Sequence, residues 1–141
     1  MKDDKLVLAI PTYAVGDASH VVSTNTIDVG TTALLLPQEM CWMNVRITTA
    51  GTNETSVSFT LTDDTAVAMN GTPYAVVSTG AIPVARLTKG AVFSVGFVKD
   101  NLRRWLGLAT VLAGSAGACT AEVTLSNQPI TNLKIQKLPT A

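Results

Sequence analysis

From Met40 to Thr49 the side chains alternate without a break. Cys41, Met43, Val45 and Ile47 fall on one side, and Trp42, Asn44, Arg46 and Thr48 on the other. Successive side chains of a strand point to opposite faces, so a period of two dictates a β-strand with one face on a core. The pattern returns three times. Val57, Phe59 and Leu61 alternate with Ser58, Thr60 and Thr62; Phe93, Val95 and Phe97 share a face within 91–98; Ala121, Val123 and Leu125 alternate with Thr120, Glu122 and Thr124. Helical spacing is scarce, and 20 Thr, 16 Val and 6 Ile supply the branched β-carbons that suit a pleated surface.

Short turn signals punctuate these runs: Val15-Gly16-Asp17, Gly30-Thr31-Thr32, Ala50-Gly51-Thr52-Asn53, Asn70-Gly71, Lys89-Gly90 and Gly114-Ser115-Ala116-Gly117. Asn-Gly takes the left-handed conformations of a tight reverse turn. The spacing predicts one all-β domain, a sandwich or barrel of about eight antiparallel strands over residues 1–126. Two apolar stretches lie at its margins. The one around Val7-Leu8-Ala9-Ile10 is stopped by Pro11, and the one in 127–141 carries Ile130, Leu133, Ile135 and Leu138 with Lys134 and Lys137. Each reads as an edge strand, where proline is tolerated, or as an arm that adds a strand to a neighbouring subunit.

A chain of 141 residues buries roughly 68–70% of its unfolded surface and needs no metal or disulfide staple. Its formal net charge is zero and only 14% of residues are charged, which leaves too little clustered Lys and Arg to hold a polyanion. Nucleic acid is not an expected partner. With 47% hydrophobic residues and no net charge to keep copies apart, part of the surface is expected to be covered by other subunits. No run reaches the roughly 18 apolar residues of a membrane-spanning helix. The first residues, Met1-Lys2-Asp3-Asp4-Lys5, lack the parts of a signal peptide, so the expected setting is the cytoplasm or an assembly built there. Cys41 and Cys119 lie in apolar β-patterned runs and read as free, buried thiols; a disulfide would require their strands to be neighbours.

Residues able to do chemistry are few. His20, the single histidine, sits in Asp17-Ala18-Ser19-His20, a local string without a nucleophile elbow. One His and two distant Cys lack zinc-site spacing. Asp63-Asp64 lacks the Gly and terminal Glu of a calcium loop and reads as a solvated turn after a strand. Gly107, Gly114 and Gly117 do not have phosphate-loop spacing. The expectation is a non-enzyme with no cofactor and no metal. The densest positive charge, Lys99 with Arg103 and Arg104, precedes Trp105. It reads as a basic turn leading into a strand over 105–112 with Trp105 in the core, and its arginines are also of the type enriched at interface hot spots.

Ser23-Thr24-Asn25-Thr26-Ile27-Asp28-Val29-Gly30 resembles an N-terminal signature of the Bbp16-like bacteriophage capsid cement (decoration) proteins. Ser78-Thr79-Gly80-Ala81-Ile82-Pro83 with Leu87-Thr88-Lys89-Gly90 is similar to their central segment. Arg103-Arg104-Trp105-Leu106-Gly107-Leu108 is similar to a strand of theirs, and Gly114 to Leu125 to their last turn and strand. The resemblance covers residues 5–125, and the tail after Ser126 departs from it. It implies a jelly-roll sandwich, a homodimer or homotrimer, and a structural role: binding the major capsid protein on the outside of the virion and stabilising the shell. The family's contact residues form no compact motif and none is carried over; the structural roles expected here are Asp28 bracing the turn at Gly30, Pro83 marking an edge, and Arg103 and Arg104 meeting an acidic capsid surface. The candidate interface residues are Lys99, Arg103, Arg104, Ile130, Leu133 and Ile135. The rival readings are a head-completion or tail structural protein and a carbohydrate-binding β-sandwich.

Overall fold

The computed structural model describes residues 7–14, 21–28, 40–65, 74–98, 105–115 and 117–126. They form nine strands: β1 (Val7–Ala14), β2 (Val21–Asp28), β3 (Met40–Thr49), β4 (Glu54–Asp64), β5 (Tyr74–Ser78), β6 (Ile82–Pro83), β7 (Val92–Val98), β8 (Trp105–Gly114) and β9 (Thr120–Ser126). A 3-10 turn at Val84–Arg86 follows β6. The first sheet runs β1-β9-β3-β7 and the second β2-β8-β4-β5, with β6 beside β4. All pairings are antiparallel.

With the two-residue β6 set aside, eight long strands remain and their pairing is nested. The first pairs with the last (β1 with β9), the second with the seventh (β2 with β8), the third with the sixth (β3 with β7), and the fourth with the fifth (β4 with β5). This is one long antiparallel ribbon, rolled so that successive pairs fall alternately into two sheets. It is a jelly roll, the expected all-β sandwich.

The alternation predicted which face is inside. Cys41, Met43, Val45 and Ile47 of β3 are fully buried, as are Val57, Phe59 and Leu61 of β4 and Ala121 and Val123 of β9. Register aligns them in rows across each sheet, such as Val45 between Phe93 and Val123. The second sheet supplies Val57 beside Leu112, Leu61 beside Leu108, and Ile27 beside Leu106. Val7–Ala14 is an edge strand of the sandwich, paired to β9, and Pro83 also lies on an edge. The expected turn at Lys89-Gly90 is a one-residue bulge. Gly90 has φ +87, its N–H donates to the Ile47 carbonyl, and Ile47 N–H donates to the Ala91 carbonyl.

Three expectations are corrected. Asp63 and Asp64 are not a solvated turn. They are the last residues of β4, 6% and 0% exposed, because pairing with β8 continues to Leu106 and Trp105 and carries both into the sheet. Trp105 is only half-buried, because the period of β8 turns Leu106, Leu108 and Leu112 inward and leaves Trp105 on the opposite face. Glu122 and Thr124 are buried although they fall on the outer side of β9, which is flanked by β1 and β3. His20, the turns at Gly16, Gly30 and Asn70-Gly71, and the whole of 127–141 lie outside the described residues.

Thr110 occupies an inward position opposite Phe59, 1% exposed, and among the described residues its hydroxyl has no hydrogen-bond partner. A buried hydroxyl without a partner costs roughly 1–3 kcal/mol. Thr110→Val keeps the shape and removes the cost, so the variant should be more stable by about 1 kcal/mol in urea denaturation with an unchanged m-value.

Candidate interaction surface

One end of the sandwich is organised by a carboxylate. Glu54 begins β4 and is 2% exposed. Its Oε2 accepts the Thr52 N–H at 2.6 Å, and its Oε1 accepts the N–H groups of Gly117 at 3.0 Å and Cys119 at 3.1 Å. The turn from β3 to β4 is thereby tied to the turn from β8 to β9. Thr52 adds a second tie, its Oγ1 accepting the Ala118 N–H at 3.0 Å. Gly117 is required by proximity. A β-carbon there would stand against Thr52 Oγ1, 2.6 Å from Asn53 N and 2.7 Å from Glu54 Oε2. Burial by itself would raise the Glu54 carboxyl, but the backbone N–H bonds of Glu54 itself, Thr52, Cys119 and Gly117 outweigh it and hold the group below its ordinary value.

The outer face of the first sheet carries a polar ladder. Asn44 donates through Nδ2 to Ser126 Oγ at 2.7 Å, and its Oδ1 accepts the Ser94 hydroxyl at 2.7 Å. Arg46 pairs with Glu122 at 3.1 Å, and the Thr48 and Thr120 hydroxyls meet at 2.6 Å. Asn44, Arg46, Val92, Glu122 and Thr124 line a shallow cleft of about 180 Å³, below the roughly 300 Å³ at which ligand pockets begin. Its amide and carboxylate are engaged by neighbouring side chains. This is a surface that braces strands together.

At the opposite end β2, β4, β7, β8 and β9 present Asp28, Asp64, Val98, Trp105 and Ser126. Register sets Trp105 between Asp28 and Asp64, and Asp64 Oδ1 accepts the Thr65 N–H at 2.6 Å. Tyr74 and Val98, exposed at 61% and 53%, lie at this end on β5 and β7. The candidate interface residues Lys99, Arg103, Arg104, Ile130, Leu133 and Ile135 are all outside the described residues. Connectivity alone relates them to this end: 99–104 joins Val98 to Trp105, and 127–141 follows Ser126. Glu54, by contrast, was invisible in the sequence, where Asn53-Glu54-Thr55 reads as an ordinary polar turn. Gly117, needed for close approach, was the one available hint.

Among the described residues no group of three His, Cys, Asp or Glu is placed to hold a metal ion, and no helix is long and apolar enough to cross a membrane. Cys41 and Cys119 are both buried and neither is in a disulfide. Thr49 opposes Thr120, so Cys119 lies near the end of β3 while Cys41 lies at its start, on the order of 25 Å away at 3.2–3.4 Å per residue. That separation rules out a disulfide within the fold. Burial, with the Glu54 charge adding to it, pushes the Cys119 thiol up to about 11. No protein-family model matches this chain, and no curated protein matches it in sequence.

Two outcomes are expected. Glu54→Gln should cost roughly 2 kcal/mol at neutral pH, because an amide cannot accept at both oxygens. Since the folded carboxyl titrates below its ordinary 4.5, its stabilisation is complete above that value and is lost as pH falls through the folded one. The gap between wild type and variant in denaturant titrations should therefore narrow in acid. For the cysteines, a thiol reagent at pH 8 should leave the native protein unlabelled and modify both after unfolding.

Proposed function

We propose that this protein is a non-catalytic structural subunit of a bacteriophage virion, a cement protein that binds the outer surface of the capsid shell and stabilises it. The observation that carries the proposal is the jelly-roll strand order, an architecture used by viral capsid domains and lectins alike. A fold by itself does not give a function, and the choice among jelly-roll roles rests on the cement-protein motifs between residues 5 and 125. Two further features support it. The described surface is built to brace strands, with Asn44, Arg46 and Glu122 engaged by one another or by neighbouring strands. The balanced charge and high apolar content suit a chain that works under the cover of other subunits.

The partners under this reading are the major capsid protein and further copies of this chain. The setting is the capsid exterior, after assembly in the host cytoplasm. The carbohydrate-binding alternative gains nothing from the cleft, whose lining of Asn44, Arg46, Val92, Glu122 and Thr124 offers no aromatic ring to stack on a sugar. A head-completion or tail protein shares the virion setting and differs in copy number.

Purified protein added to phage heads that lack it should bind and saturate at a fixed ratio to the major capsid subunit. Those heads should also withstand higher temperature before releasing DNA. Absence of binding eliminates the cement reading, and saturation at a few copies per head transfers the protein to the connector or tail.

A further inference from the structure

Among the described residues, four strands stand at the ends of the two sheets: β1 and β7 in the first, β2 and β5 in the second. A bare strand edge invites another strand, and natural sheets blunt their edges with proline, bulges or short length. β1 contains Pro11 and two register shifts. β2 has a shift between Val22 and Thr26. β5 has five residues and a shift of its own, and β6, on the same side of β4, ends in Pro83. β7 has none of these devices. Its seven residues, Val-Phe-Ser-Val-Gly-Phe-Val, include no proline and no charge, and its pairing with β3 runs from Val92 to Val98 without a shift.

The bulge at Gly90 fixes the hydrogen-bond phase of this edge. Ile47 N–H donates to the Ala91 carbonyl, so Phe93, Val95 and Phe97 exchange bonds with β3, while Val92, Ser94, Gly96 and Val98 direct their backbone groups away from it. Inside, the row is incompletely covered. Phe93 and Val95 are only partly buried, whereas their β3 partners Val45 and Met43 are 0% exposed. An added strand with apolar side chains at alternate positions would complete it.

The chain itself contains a sequence of that pattern. In 127–141, Leu133 and Ile135 alternate with Asn132, Lys134 and Gln136, and the segment follows Ser126 at the end of the sheet where β7 ends. Pro129 fixes its own φ and biases Gln128 toward extended backbone, which disfavours an immediate return over the same sheet. We propose that residues 130–138 of one copy add as a strand to β7 of a second copy, with Leu133 and Ile135 beside Phe93 and Val95. The exchange holds whether or not the assembly sits on a capsid.

The test is sedimentation of the full chain, of a chain ending at Gln128, and of the full chain carrying Leu133→Asp and Ile135→Asp. The full chain should be oligomeric, and both variants should be monomers with unchanged far-UV circular dichroism. The Val92, Gly96 and Val98 amides should exchange roughly tenfold or more faster in the variants. A monomeric full chain overturns the proposal, even with slow exchange at β7, since the strand would then belong to the same copy. Variants that remain oligomeric overturn it as well. Should the truncated chain fail to fold, the double substitution decides alone, because it leaves chain length intact.

Discussion

At one end of the sandwich two of the chain's passages between the sheets, one in each direction, meet at a single side chain. β3 gives way to β4, β8 gives way to β9, and both passages converge on the Glu54 carboxylate. Each turn exposes backbone N–H groups that the sheets cannot satisfy, and a buried donor without a partner costs as much as a good hydrogen bond supplies. One carboxylate settles three of these donors at Thr52, Gly117 and Cys119. The spacing between the sheets at this end is thus set by a side chain as well as by core packing. The absence of a side chain at Gly117 follows from the same centre, and at Cys119 the Glu54 charge adds to burial in raising the thiol.

What the sequence disclosed and what it hid separate along physical lines. Strand faces were legible because alternation is local. Cys41 to Ile47 and Val57 to Leu61 needed no knowledge of their partners to declare their inner sides. The role of Glu54 was not legible, since its donors Gly117 and Cys119 lie 63 and 65 residues away and nothing in Asn53-Glu54-Thr55 marks them. Asp63-Asp64 misled for a related reason. Two adjacent carboxylates look like solvent, yet Asp63 continues the inward row of Val57, Phe59 and Leu61, and the ladder with β8 extends past it. At Asp63 period and composition disagreed and pairing decided for the period; Asp64, on the other side of the strand, is buried as well. Trp105 shows the reverse case: a large aromatic promised a core position, and its place one residue before Leu106 denied it.

The outer face of the first sheet is stitched by side chains, with Asn44 bridging Ser94 and Ser126, Arg46 held to Glu122, and Thr48 to Thr120. Each cross-strand pair is worth a few tenths of a kcal/mol to about 1 kcal/mol, and together they lock the register of β7, β3 and β9. The second sheet has side-chain ties of its own, from Thr60 to Ser78 and from Thr62 to the Gly107 carbonyl, and adds length, with β4 and β8 aligned from Glu54–Gly114 to Asp64–Trp105. A firm, pre-organised body of this kind loses little freedom when it docks, which favours binding without large rearrangement.

The nesting of the strands has a consequence for how the molecule is made. A ribosome releases β1 first and β9 last, yet β9 lies between β1 and β3 and is the sheet neighbour of both. Until Thr120–Ser126 has emerged, the first sheet is missing its middle, and its early strands wait with apolar rows uncovered. Closure of the body therefore waits for β9, and it is slow in the manner of folds dominated by distant contacts and exposed to wrong pairing in the interval. Newly made chains in a crowded cell meet that hazard together, so the interval before β9 arrives is when this protein has most need of a chaperone.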